Sequence, residues 1–178
     1  VYDDADRTTS ATSPLPSTVS FGYDSNGNVL SIAPPGRPAH TSTFSAVNEP
    51  LTYTPPSAGP GAWGTTWAYN LDKQVTSVVR PDAIVVTPSY DVGGRITGLT
   101  HSAGTRTFEY EGTRSVVRRA ASEDGVQTAH TYDGPLSLST TWSGPVAGAV
   151  GRQFDANMRL VTETVNGAFP VTLGYSTD

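Results

Sequence analysis

The sequence predicts an all-β fold of tandem β-hairpins, each about 21 residues long, and three observations carry that expectation. An aromatic residue returns at a near-constant interval. A turn-forming residue usually follows it. The pieces between are rich in Val and Thr and alternate or nearly alternate, as strands do. No segment pairs a helix start with a 3.6-residue apolar stripe, and Pro34, Pro35, Pro38, Pro50, Pro55, Pro56, Pro60, Pro81 and Pro88 would break one.

The repeat can be followed along the chain. YDDADRTT begins at Tyr2, YDSNGNVL at Tyr23 and FSAVNEPLTY at Phe44. YNLDKQVTSV begins at Tyr69, YDVGGRITGL at Tyr90 and YEGTRSVV at Tyr110. YDGPLSLS begins at Tyr132, FDANMRLVTE at Phe154, and a short ninth copy, YSTD, at Tyr175. Successive starts lie 20 to 25 residues apart. A fixed period of this size marks a repeat array.

Each position of the motif has a physical task. The aromatic favours a strand and anchors its end on a buried face. Asp3, Asp24, Asn70, Asp91, Asp133 and Asp155 can each bond the backbone two residues on, closing an Asx-turn. Gly27, Gly93, Gly94 and Gly134 sit where a turn often needs positive φ, and Asn157 tolerates the same conformation. Six places after the aromatic, Val29, Val75, Ile96, Val116, Leu138 and Leu160 are expected to begin the returning strand. One unit is therefore two strands and two turns.

The longest interval holds TPPSAGPGAWGTTW, and a Pro/Gly-rich insertion around 54–66 is expected to form an extended surface loop or a bend. The period resumes in register after it. Residues 1–178 are read as one array of about eight repeats and a truncated ninth.

The residues now carry a resemblance. YDSNGNVLSI, YDVGGRITGL and FDANMRLVTE resemble YD repeats, also called RHS repeats: Tyr-Asp, two variable residues, Gly-Arg or Asn-Arg, then an apolar strand. Arg7, Arg95, Arg159 and a shifted Arg114 match the family's arginine, whereas the copies at Tyr23 and Tyr132 lack it. The chain is similar to segments of large bacterial RHS proteins, toxin-complex C components and teneurins. That resemblance implies a curved, spiralling antiparallel sheet, a partial shell. It implies a non-catalytic structural role, enclosing or presenting a toxin or other cargo domain within a secreted or cell-surface protein. The partners implied are adjacent repeats of the parent chain and an enclosed C-terminal cargo. No match is seen to the family's self-cleaving core.

Composition narrows the remaining classes. Charged residues make up 15% of the chain and the net charge is −5, which disfavours nucleic acid as a partner because phosphate binding needs basic clusters. With no Cys, disulfides and thiolate metal sites are excluded. No apolar run approaches the ~20 residues of a membrane helix. The chain opens VYDDADR, without Met or a signal-peptide layout, and is expected to be an excised segment whose targeting signal lies elsewhere.

Candidate sites fare less well. A calcium loop at Asp24–Asn28 would need a carboxylate at the twelfth position, and Pro35 stands there. His40, His101 and His130 have no metal-ligand spacing, and no nucleophile elbow, P-loop or dinucleotide fingerprint is present. No metal, cofactor or catalytic residue is expected. The alternative reading is a carbohydrate-binding, adhesin-like module, with Trp63 as its candidate contact; Trp67 and Trp142 read as strand residues. Exposed sheet edges predict edge-to-edge self-association of the fragment.

Overall fold

The computed structural model describes residues 1–15, 17–57, 59 and 64–176. Among them are sixteen strands and no helix. The chain divides into two compact units, Val1–Pro88 and Ser89–Asp178.

The first unit holds β1 (Ser10–Thr12), β2 (Thr18–Tyr23), β3 (Val29–Ala33), β4 (His40–Phe44), β5 (Pro50–Thr54), β6 (Thr65–Tyr69), β7 (Val75–Val79) and the start of β8 (Val85–Tyr90). Each strand pairs antiparallel with the next in sequence. The second unit holds β9 (Ile96–His101), β10 (Gly104–Tyr110), β11 (Val117–Ala121), β12 (Gln127–Asp133), β13 (Leu136–Ser143), β14 (Gly148–Phe154), β15 (Leu160–Val165) and β16 (Ala168–Thr172). The same rule orders its strands. Short connections and local pairing make each hairpin depend mainly on its neighbours.

Alternation gives each unit two unlike faces. In the first, the registers Phe21↔Ile32, Ser42↔Tyr53, Trp67↔Val78 and Val78↔Val86 place aromatic and aliphatic groups on one face. The other face carries Gly22↔Ser31, Ser31↔Thr41, Thr43↔Thr52 and Thr52↔Thr66. Thr43 and Thr52 share a hydroxyl hydrogen bond of 2.7 Å. No charged residue occurs in β1–β8; the charges of that unit lie in its turns. In the second unit Trp142 pairs with Gly148, and a side chain at 148 would collide with the indole. Glycine is therefore required there.

No apolar side chain among the described residues is fully buried. The expected buried face is only half-buried: Tyr23, Phe44, Tyr69, Tyr90, Tyr110, Tyr132 and Phe154 are intermediate in exposure. Tyr2 is 68% and Tyr175 44% exposed. Ladder bonds and turn contacts must therefore do the ordering that a closed core does elsewhere.

Six of the motif aromatics stand at a bulge at or next to the end of their strand. The register shifts at Gly22/Tyr23, Thr43/Phe44, Ala68/Tyr69, Glu109/Tyr110, Thr131/Tyr132 and Gln153/Phe154. An extra residue bends the strand and re-aims the side chain beside it. Returning strands begin at Val29, Val75, Ile96 and Leu160, as the spacing predicts. Two positions differ. After Tyr110 the strand starts at Val117 rather than Val116, because the turn is one residue longer. After Tyr132 it starts at Leu136 rather than Leu138, because Gly134–Pro135 makes a two-residue turn.

Candidate functional site

The recurring feature is a joint between one motif and the next, and it begins with the Asp. Asp24 Oδ1 accepts the backbone N–H of Asn26 and of Asn28, both at 2.9 Å. Asp3 does the same for Ala5 and Arg7, Asp91 for Gly93 and Arg95, and Asp155 for Asn157 and Arg159. Asn70 serves Asp72 and Gln74 through its Oδ1. Two backbone bonds close each loop, as Gly27 N–H to Asp24 O and Asp24 N–H to Asn28 O illustrate.

The third residue after the Asp takes the left-handed conformation. It is Gly94 (φ 78°) and not Gly93, and Met158 (φ 62°) and not Asn157. Asp6, Asn48 and Lys73 occupy the same place with φ of 58°, 66° and 62°. Non-glycine residues at positive φ carry a steric cost of ~1–2 kcal/mol, which the doubly bonded side-chain cap over the loop offsets.

The arginine then does two things. Its Nε and outer nitrogen clasp the carboxylate of its own Asp: Arg7 on Asp3, Arg95 on Asp91, each with a 2.7 Å ion-pair contact, and Arg159 Nε on Asp155 at 2.8 Å. The guanidinium also covers the next motif's tyrosine. Arg7 lies 4.7 Å from the Tyr23 ring centroid, Arg95 4.6 Å from that of Tyr110 and Arg159 4.5 Å from that of Tyr175. Arg7 further donates to Asp24 O, and Arg95 to Gly112 O and Arg114 O.

The tyrosine answers with its hydroxyl. Tyr23 donates to Thr8 O, Tyr69 to Pro50 O, Tyr110 to Ile96 O, Tyr132 to Val117 O and Tyr175 to Leu160 O, all within 2.7–3.0 Å. Each acceptor heads the segment that returns after the preceding motif. The sequence separation is 14 or 15 except for Tyr69, where it is 19. The joint is therefore kept across the longest interval.

Degenerate copies keep the joint with other chemistry. At Tyr23 the arginine is replaced by Asn28, whose Nδ2 reaches both Asp24 Oδ2 and Asn48 Oδ1 at 2.8 Å. At Phe44 the polarity is reversed: Ser45 caps the loop, and Glu49 stands where the arginine would, 3.9 Å from the only lysine, Lys73. Burial, with the Glu49 charge, pushes the Tyr69 hydroxyl above its ordinary pKa.

Electrostatics follow the same geometry. The side-chain bond from Arg7 holds Asp3 below the usual carboxylate pKa, and the bond from Asn28 does so for Asp24. For Asp91 and Asp155 the largest cause is the backbone N–H of Arg95 and of Arg159. Hydrogen bonds to the ionised form favour it.

The other candidates remain separate. The Asp24 carboxylate already accepts three N–H donors, so its oxygens face the loop. His40 Nδ1 lies 2.6 Å from the Tyr53 hydroxyl, His130 Nδ1 3.1 Å from Thr140 Oγ1, and His101 Nε2 3.3 Å from Glu123. Among the described residues no three His, Asp or Glu are grouped to hold a metal. Trp63 lies outside the described residues. The sequence did not disclose the reach of Arg7, Arg95 and Arg159 to the following tyrosine. The one signal for it was the spacing of 14 or 15 residues from the strand-heading residue to the next Tyr, kept in four of the five joints.

Comparison with known proteins meets this geometry. The family model described as Teneurin YD-shell matches residues 1–177. No curated protein matches the chain. Among solved structures, "Crystal Structure of TcdB2-TccC3-Cdc42" and "Crystal Structure of TcdB2-TccC3 without hypervariable C-terminal region" each align over 98% of the chain, at 14% identity and a TM-score of 0.67. The Photorhabdus luminescens Tc holotoxin pore aligns over 93%, at 12% identity and a TM-score of 0.55. The chain spans only 11% of each of these longer chains. At such identities the likeness concerns the fold.

Proposed function

Because the chain belongs to the YD-shell family, we propose that it is a stretch of shell wall that encloses or presents a cargo domain in a secreted or surface-delivered protein. The observation that carries this reading is the family match over residues 1–177. The joints supply a physical rationale. A wall built from a single sheet has no closed core to fix its register, so each turn must hold the next. Arginine over tyrosine, and tyrosine hydroxyl on the preceding carbonyl, tie one repeat to the next. The task assigned to the chain is steric and non-catalytic.

Limited proteolysis of a longer polypeptide that carries this segment ahead of a C-terminal domain tests the proposal. The C-terminal domain is expected to resist a protease that digests it rapidly when produced alone. Equal digestion in both contexts would sink the shell reading. For the 178-residue chain itself, we expect edge-to-edge association. Light scattering that stays monomeric at high concentration would count against that part.

A further inference from the structure

Of the joints that lack the arginine, one holds a cavity in its place. Between the Tyr132 and Phe154 motifs, Gly134–Pro135 forms a two-residue turn, with Asp133 paired to Leu136. The longer turns that elsewhere carry an arginine end four residues beyond their Asp. Here the fourth residue beyond the Asp is Ser137, already inside β13, and no arginine takes that place. Asp133, Phe154, Asp155 and Met158 line the space left, together with the turn and the apolar side chains of Leu136 and Leu138; its volume is about 340 Å³. That is within the range of small ligand sites.

Although Asp133 is more exposed than Asp3, Asp91 and Asp155, the cavity is lined by the same kinds of group that surround a guanidinium in the complete joints. There, the cation sits between its own motif's carboxylate and the next motif's ring, as Arg95 does between Asp91 and Tyr110. The corresponding groups here are Asp133 and the Phe154 ring. No hydrogen bond or ion pair engages the Asp133 carboxylate among the described residues, whereas Asp155, also in the lining, is already paired with Arg159, so Asp133 is the carboxylate left for a cation. Arg114 comes near, but its guanidinium is spent on Gly134 O, at 2.7 Å.

We propose that this cleft binds a guanidinium group, the arginine side chain of a second polypeptide. A planar cation that can fork onto a carboxylate while lying on a ring fits both walls, whereas an ammonium meets them only as a point charge. The proposal concerns a ligand and goes beyond the wall-building role.

Met158 is the only methionine in the chain and lines the cavity. Its methyl group, carbon-13 labelled in the full chain, reports binding directly. The blocked tripeptide acetyl-Gly-Arg-Gly-amide should shift that signal saturably in the millimolar range. The lysine counterpart should bind about fivefold more weakly, and the neutral citrulline counterpart should leave the signal unmoved. Asp133→Asn should weaken arginine binding about tenfold, the scale of a charge-assisted bond. Should Asp133→Asn fail to fold, Phe154→Leu keeps an apolar side chain, removes the ring and should weaken binding likewise. No saturable shift with the arginine peptide, an equal shift with citrulline, or unchanged affinity in the folded variants would overturn the site.

Discussion

The Arg95 guanidinium lies 4.6 Å above the Tyr110 ring while the Tyr110 hydroxyl donates to Ile96 O, the residue next to Arg95. Two consecutive repeats are thus latched from both directions. The same arginine also clasps Asp91 and donates to Gly112 O and Arg114 O.

This latch sets an order of effects. Tyr110→Phe removes one hydrogen bond and should cost about 1 kcal/mol. Arg95→Ala should cost more, since it removes the ring contact and the carbonyl bonds as well, and Arg95→Lys should recover only a minor part. Urea midpoints of the three variants check the ranking; a fully active lysine latch would refute the forked geometry.

A gain is also expected. Phe44 stands where other motifs place a tyrosine, with Val29 heading the preceding return strand. By analogy with Tyr23 on Thr8 O, Phe44→Tyr supplies a hydroxyl for Val29 O. It should raise stability by about 0.5–1.5 kcal/mol, read from the denaturation midpoint.

The turns predict substitutions of opposite sign. Ala83 has a φ of 61° and Gly94 a φ of 78°. Ala83→Gly should stabilise the protein by relieving left-handed strain, and Gly94→Ala should destabilise it, each by about 1 kcal/mol. Thermal melts compare the pair directly.

The caps predict a dependence on pH. Asp3, Asp24, Asp91 and Asp155 have folded values below the ordinary 3.8. Each contributes stability that is present above the unfolded value and lost as pH falls through the lowered folded value. Stability should hold between neutral pH and about 5, then fall below about 4. Asp91→Asn should show a shallower acid decline; an unchanged acid profile would rule out the Asp91 cap as a contributor.

The repeat, the all-β class and the turn chemistry were legible because they are local. An Asp accepts N–H groups two and four residues on, a spacing written in the primary structure at Asp24, Asn26 and Asn28. The exact turn register was less legible. Gly93 and Gly94 are both free to adopt positive φ, and only the closing bond from Gly94 N–H to Asp91 O selects the second. Likewise, Val116 and Val117 are equivalent by hydropathy, and the bulge at Glu109/Tyr110 decides which heads the strand.

The sequence by itself determined the period, the antiparallel hairpin unit and five of the six expected capping residues, because short-range hydrogen bonding and strand preference act within a few residues; Asp133, expected to cap, instead flanks a two-residue turn, and Ser45 caps unforeseen at the Phe44 motif. Tertiary structure decided what the arginines do. Arg7, Arg95 and Arg159 each serve their own Asp and the next aromatic together. That second contact depends on where the next tyrosine stands in space: Tyr23 and Tyr110 sit at bulges, whereas Tyr175 follows the last strand. It also decided that the joint at Phe154 stands open, since a two-residue turn leaves the space that a guanidinium fills elsewhere.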